Sequence, residues 1–280
     1  MKVPVKIYIL SDMEGTAGVS IWDQVLPGHP EYDVARRWMT EEINAAADGA
    51  FAAGADLVLV NDAHLTEHNL DLDLLDRRVE HLMGYGKDLW AELDDTFDAV
   101  FQIGAHAKAG TPAANLRHTW APSNFADLRI NGKSVGEIGL AAAGAGERGV
   151  PCTLVSGDDK ACAEAAQLLG GVIRAPVKKG IGWQCARSIA PRAARDLIRE
   201  RARQACSAAG GVPPWRPATG EISVEILTIA KPANDLYASS LEADALLAQP
   251  LLTQRATGTS IRQAFLAALA ATPRPVRAGP

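Results

Sequence analysis

The sequence predicts an α/β protein: a mostly parallel sheet flanked by helices, followed by a smaller C-terminal α+β unit. Three observations carry this. Short apolar bursts such as Val58-Leu59-Val60 read as strands covered on both faces. Ala-rich stretches with helical spacing separate them, and alternation of strand and helix is the pattern of parallel βαβ units. Each burst runs out into polar residues, so acids and histidines collect where strands end.

Taken in order, Val5 to Leu10 reads as a strand and delivers Asp12, Glu14 and Gly15 at its exit. Glu31 to Ala53 is helical, with Val34, Trp38, Ile43 and Ala47 on one face and Gly54 as terminator. Ala55 to Val60 is a second strand, ending in Asn61, Asp62 and His64. Asp98 to Ile103 is a third, running out at Gly104, Ala105 and His106. A helix from Gly136 to Arg148 follows, then a strand from Pro151 to Val155 that ends at Gly157, Asp158 and Asp159. Helices are expected from Lys160 to Leu169 and from Pro191 to Ala209. Beyond the turn-like Gly210-Gly211-Val212-Pro213-Pro214, Glu221 to Thr228 reads as a strand and Ser260 to Ala271 as a helix. The expected division is a catalytic α/β unit over 1–190, a smaller α+β unit over 191–271 and a disordered tail over 272–280.

The chain has 280 residues, 28 Lys+Arg against 33 Asp+Glu, a net charge of −5, and 48% apolar residues. That balance excludes a disordered tail, a collagen and a small disulfide scaffold. No basic run with interleaved aromatics is present, so nucleic acid and anionic membranes are not expected partners. No apolar stretch approaches the roughly 18 residues of a membrane span. The run Ile7-Tyr8-Ile9-Leu10 stops at Ser11-Asp12, too short for a secretory core. The four cysteines, at 152, 162, 185 and 206, lack CxxC spacing, so free thiols and a cytoplasmic location are expected.

In open parallel sheets ligands bind beyond the carboxyl ends of the strands. There this chain places Asp12, Glu14, His64 and His106, a mixture of carboxylate and imidazole suited to zinc or a related metal. For Glu137 two readings stand. It occupies capping-box spacing after Ser134, or it is the fifth ligand of a two-metal site in which Asp12 bridges. His118, twelve residues after His106, suits a general acid or base, because imidazole titrates near operating pH, or a nucleophile that attacks the carbonyl directly. Asp62 can orient a ligand from behind it. Asp158 and Asp159 read as helix caps. His29, His68 and His81 show no partner pattern.

Those residues stand in Ser11-Asp12-Met13-Glu14-Gly15, Met39-Thr40-Glu41-Glu42 with Asn44, Val60-Asn61-Asp62-Ala63-His64, Gly104-Ala105-His106-Ala107, Leu116-Arg117-His118-Thr119, Asn131-Gly132-Lys133, Val135-Gly136-Glu137-Ile138-Gly139 and Gly157-Asp158-Asp159-Lys160. In order and spacing they resemble the zinc-dependent, DppA-like D-aminopeptidase family. The resemblance implies a dinuclear zinc enzyme with two Zn ions per subunit, manganese or cobalt being substitutes. It implies a short peptide or amide substrate with an amino-terminal D-residue of the D-Ala type, and a ring-shaped, decamer-like homo-oligomer. Position by position it makes Asp12, Glu14, His64, His106 and Glu137 the metal ligands and His118 the catalytic histidine. Trp22, Trp38 and Trp120 flank the motifs and are candidates for narrowing the substrate pocket. The rival reading is another two-metal hydrolase, an L-peptide amidase or a phosphoesterase. No GxxxxGK[ST] phosphate loop supports the latter.

Overall fold

A computed structural model describes residues 4–84, 88–217, 220–229 and 250–272. Its larger sheet has seven strands: β1 (Lys6–Ser11), β2 (Leu57–Asp62), β3 (Glu80–Leu82), β4 (Ala99–Ala105), β7 (Cys152–Asp158), β8 (Ile173–Gly182) and β9 (Cys185–Ser188). They lie in the order β3-β2-β1-β4-β7-β8-β9. All neighbours are parallel except β8 and β9. Every residue of β4 and β7 is buried, as their continuous apolar runs require of strands covered on both faces.

The chain leaves β1 toward β2 on one side and later enters β4 on the other. The point between β1 and β4, where strand order reverses, is where such sheets form a crevice. One face is covered by α1 (Tyr32–Ala52) and α4 (Pro191–Ala208), which pack on Ile7, Ile9, Val58, Val60 and Phe101. Gly54, at φ 98°, follows α1 as the expected terminator. On the other face α2 (Glu137–Glu147) and α3 (Asp159–Leu168) pack over Val155 and Cys152.

A second, antiparallel sheet has the order β11-β10-β5-β6, built from β5 (Phe125–Ile130), β6 (Lys133–Val135), β10 (Ile222–Ile229) and β11 (Leu251–Gly258). Its apolar face and helix α5 (Ile261–Ala270) share a core with Tyr8, Leu59 and Val100 of the larger sheet. The segment expected as a separate α+β unit therefore contributes two of the four strands, while β5 and β6 come from residues 125–135 and α4 belongs to the larger sheet. Of the expected tail only Thr272 is among the described residues. None of the four cysteines forms a disulfide. Among the described residues no helix is long and apolar enough to cross a membrane.

Candidate metal centre

Three strand exits meet at the crevice because glycines let their backbones touch. A Cβ at Gly15 would lie 2.1 Å from Ala105 O, and one at Gly157 would lie 2.0 Å from the same oxygen. Gly104, at φ 76°, turns β4 against Asp12 O. Asp12 and Glu14 leave β1, His64 leaves β2 and His106 leaves β4, while Glu137 sits on the first turn of α2. His118 arrives on the loop between β4 and β5, where Leu116 and Trp120 both adopt positive φ, 49° and 62°.

The predicted residues come together as two clusters. Asp12, Glu14 and His64 present ligand atoms within 4.8 Å of one another, as do His106, His118 and Glu137. Asp12 links them: its Oδ1 lies 3.0 Å from His64 Nδ1 and its Oδ2 lies 3.4 Å from His106 Nε2. Glu14 Oε2 is 3.1 Å from His64 Nδ1, and Glu137 Oε1 is 3.4 Å from His106 Nε2 and 3.8 Å from His118 Nε2.

Each imidazole is turned toward the carboxylates by a main-chain oxygen on its other side. His64 Nε2 donates to Val25 O at 2.8 Å, His106 Nδ1 to Ala107 O at 3.1 Å, and His118 Nδ1 to Leu116 O at 2.9 Å. A carbonyl only accepts, so in the neutral ring the opposite nitrogen carries the lone pair. That is the posture of a metal-binding histidine. His64 Nδ1 and the carboxylate oxygens then offer only lone pairs to a common point, and Glu14 Oε2 is buried with no hydrogen-bond donor. The donor set fits a divalent cation.

The electrostatics point the same way. Burial, with Glu14 alongside, pushes the Asp12 carboxyl up to about 7. Burial would also raise Glu137, but His106 outweighs it and holds this group at about 2. Burial opposes a charge on His64 and His106, yet the carboxylates facing them make both more basic than an ordinary imidazole. A cation of charge two competes for those same lone pairs and relieves the crowding of the acids. His118 differs. Burial and the neighbouring His106 lower its basicity. Its ring stacks on His106 at 3.9 Å and is closed on another side by Trp22 at 5.4 Å, itself against Trp183.

Other sequence readings resolve at this level. Glu137 does not form the capping box: its Oε1 accepts Trp120 N at 2.7 Å, and no side chain of α2 caps the helix from within. Asp62 accepts His64 N at 3.3 Å and both amides of Asn69, so it shapes the loop that carries His64. Asp158 caps α3 through Lys160 N and Ala161 N, and its second oxygen takes Asn115 N, near His118. Glu42 reaches no ligand and accepts Ala17 N at 2.8 Å, while Asn44 ties Leu74 O and Asp76 N. Trp120 packs edge-on to Phe265, and Trp38 lies against Gly18.

Two residues absent from the predicted site belong to its framework. Lys178 on β8 is buried and donates to Glu14 O and to Val19 O, the latter at 2.6 Å. Glu164 on α3 accepts Lys108 N and Gly136 N.

A family model described as D-aminopeptidase matches residues 5–244. A D-aminopeptidase of Bacillus subtilis (strain 168) is 35% identical over 214 residues, 76% of this chain and 77% of that one. The solved structure of the Zn-dependent D-aminopeptidase DppA from Bacillus subtilis, described as a self-compartmentalizing protease, superposes with a TM-score of 0.84 at 29% identity, covering 95% of this chain and 96% of that one.

Proposed function

This chain belongs to the D-aminopeptidase family, and from that premise we propose that the strand-end centre holds two zinc ions and removes an amino-terminal D-residue from short peptides. The observation that carries the reading is the position of Asp12, whose two carboxylate oxygens face His64 and His106 separately. Asp12, Glu14 and His64 would hold one ion; Asp12, His106 and Glu137 the other. Bound there, such ions supply Lewis acidity to a carbonyl and bring the pKa of water to about 7. Family membership and the zinc-dependent relative favour this over an L-peptide amidase or a phosphoesterase.

Among the five ligands Asp12 and Glu137 are the open ones, with side chains 20% and 33% exposed. Substrate approaches from that side, its amino group near those carboxylates. His118 stays neutral near pH 7 because burial lowers its basicity, and Nδ1–H is committed to Leu116 O. Its Nε2 would therefore take a proton from the attacking water and return it to the leaving amine, while Leu116 O steadies the charged ring. Trp22 excludes water from one side of that ring. By likeness to the self-compartmentalizing relative, the chain closes into a ring-shaped homo-oligomer, decamer-like, with zinc replaceable by manganese or cobalt.

The test is stereochemical. Metal content is measured on the purified protein, and hydrolysis of D-Ala-D-Ala and L-Ala-L-Ala is compared before and after chelation. Cleavage of the D,D substrate alone, lost on chelation and restored by zinc, is expected. Cleavage of the L,L substrate at equal rate, or indifference to chelation, refutes the reading.

A further inference from the structure

We propose that Glu164 is a positioning residue for one half of the metal centre, fixing His106 and Glu137 relative to each other while leaving the Glu14–His64 half to a separate brace. The inference rests on the two-ion reading above. Glu164 is buried in the middle of α3, and its two oxygens go to two different segments. Oε2 accepts Lys108 N at 2.9 Å, two residues after His106. Oε1 accepts Gly136 N at 2.9 Å, immediately before Glu137. One rigid carboxylate therefore ties the main chains that carry two ligands from different elements, β4 and α2.

Two further observations fit. A Cβ on Gly136 would lie 2.7 Å from Glu164 Oε1 and 2.7 Å from Lys108 Cβ, so the Glu164 carboxylate and the Lys108 segment can close on residue 136 only because it has no side chain. Moreover, Lys108 Nζ is turned to Ser134 Oγ, at 2.6 Å, rather than to Glu164. Glu164 thus does not serve a surface ion pair. Its acceptors are spent on amides, including one at the positive N-terminus of α2. The other half of the centre is braced from β8, where Lys178 holds Glu14 O and Val19 O, and by Asp62, which holds the His64 loop. Neither brace passes through α3.

Independent braces make the two ion positions separable. Glu164→Gln keeps the shape and one acceptor but puts an NH2 group against a backbone N–H at hydrogen-bond distance, so one ligand segment must move. Groups that orient ligands from behind are typically worth 10- to 100-fold in metal affinity.

The experiment uses the full-length protein, stripped by chelator and titrated with Zn2+ by calorimetry, with unfolding followed by circular dichroism. Wild type is expected to take two ions per chain. Glu164→Gln should take one with unchanged affinity and the other at least about 10-fold more weakly. In a His64→Ala background, where the His106–Glu137 position is the stronger survivor, adding Glu164→Gln should abolish the remaining tight binding. Gly136→Ala is read in the same way should Glu164→Gln fail to fold. Val224→Ala, in the remote antiparallel sheet, controls for loss of stability alone. Two unchanged affinities in Glu164→Gln, or two that fall together as in the control, overturn the inference. A wild type that binds fewer than two ions refutes the two-ion reading itself, and this inference with it.

Discussion

Glu42 offers a prediction whose size follows from the structure. It lies in α1 behind the metal centre, 1% exposed, with Oε1 accepting Ala17 N and Oε2 buried without a donor. Burial pushes its carboxyl up to about 7, against 4.5 for the free group. A tenfold change in proton affinity is worth about 1.4 kcal/mol, so the ionised form costs the folded protein about 3 kcal/mol. The sign follows from linkage. Below pH 4.5 both folded and unfolded chains keep the proton and nothing is lost; as pH rises toward 7 the unfolded chain releases it first, and stability falls. Glu42→Gln keeps the acceptor for Ala17 N and cannot ionise. Chemical unfolding of the metal-free wild type and variant between pH 4.5 and 8 should therefore show the variant gaining on the wild type by about 3 kcal/mol across that window. Parallel curves would show that Glu42 ionises freely, and would refute the account of its burial.

Three further outcomes are expected. Asp12→Ala removes the carboxylate shared by both clusters, so metal analysis should find both ions lost together with hydrolysis; retention of one tightly bound ion would deny it the bridging place. His118→Ala should keep the metal content of the wild type and lose turnover by about 100-fold or more, the usual worth of a positioned acid or base; full turnover in that variant rules out a proton-transfer role. Gly15→Ala forces a Cβ to within 2.1 Å of Ala105 O and should cost about 1–3 kcal/mol in thermal unfolding, with weakened zinc binding because β1 and β4 part at the centre. An unchanged melting temperature would contradict the close approach.

The strands of the larger sheet that carry ligands were legible because each combines an apolar run with a polar exit. Predicted and observed limits of α1, 31–53 against Tyr32–Ala52, differ by one residue at each end, as an Ala-rich helix stopped by Gly54 allows. β8 was not legible: Ile173–Gly182 interleaves Pro176, Lys178 and Lys179 with apolar residues, and local sequence does not reveal that one lysine is buried. β11 exposes much of its length, so it shows no apolar period. The hairpin of β5 and β6 did carry a signal, Asn131-Gly132, with φ of 48° and 77°, the dipeptide favoured in tight hairpin turns. The six residues expected at the site do converge. What turns them there was hidden, since Val25, Ala107 and Leu116 act through main-chain oxygens that no residue type marks, and Glu164 looks like any helix-surface acid.

Those main-chain oxygens bear on how the centre can change over generations. A peptide carbonyl survives any substitution of the residue that owns it, so point replacements at 25, 107 or 116 leave the imidazole's acceptor in place and are tested by packing alone. A gained or lost residue is different, because it rotates the carbonyl out of line with its ring. Ala107 directly follows His106, and Leu116 stands two positions before the His118 whose ring it holds; in descendants of this chain those spacings should be inherited more faithfully than the amino acids at 107 and 116.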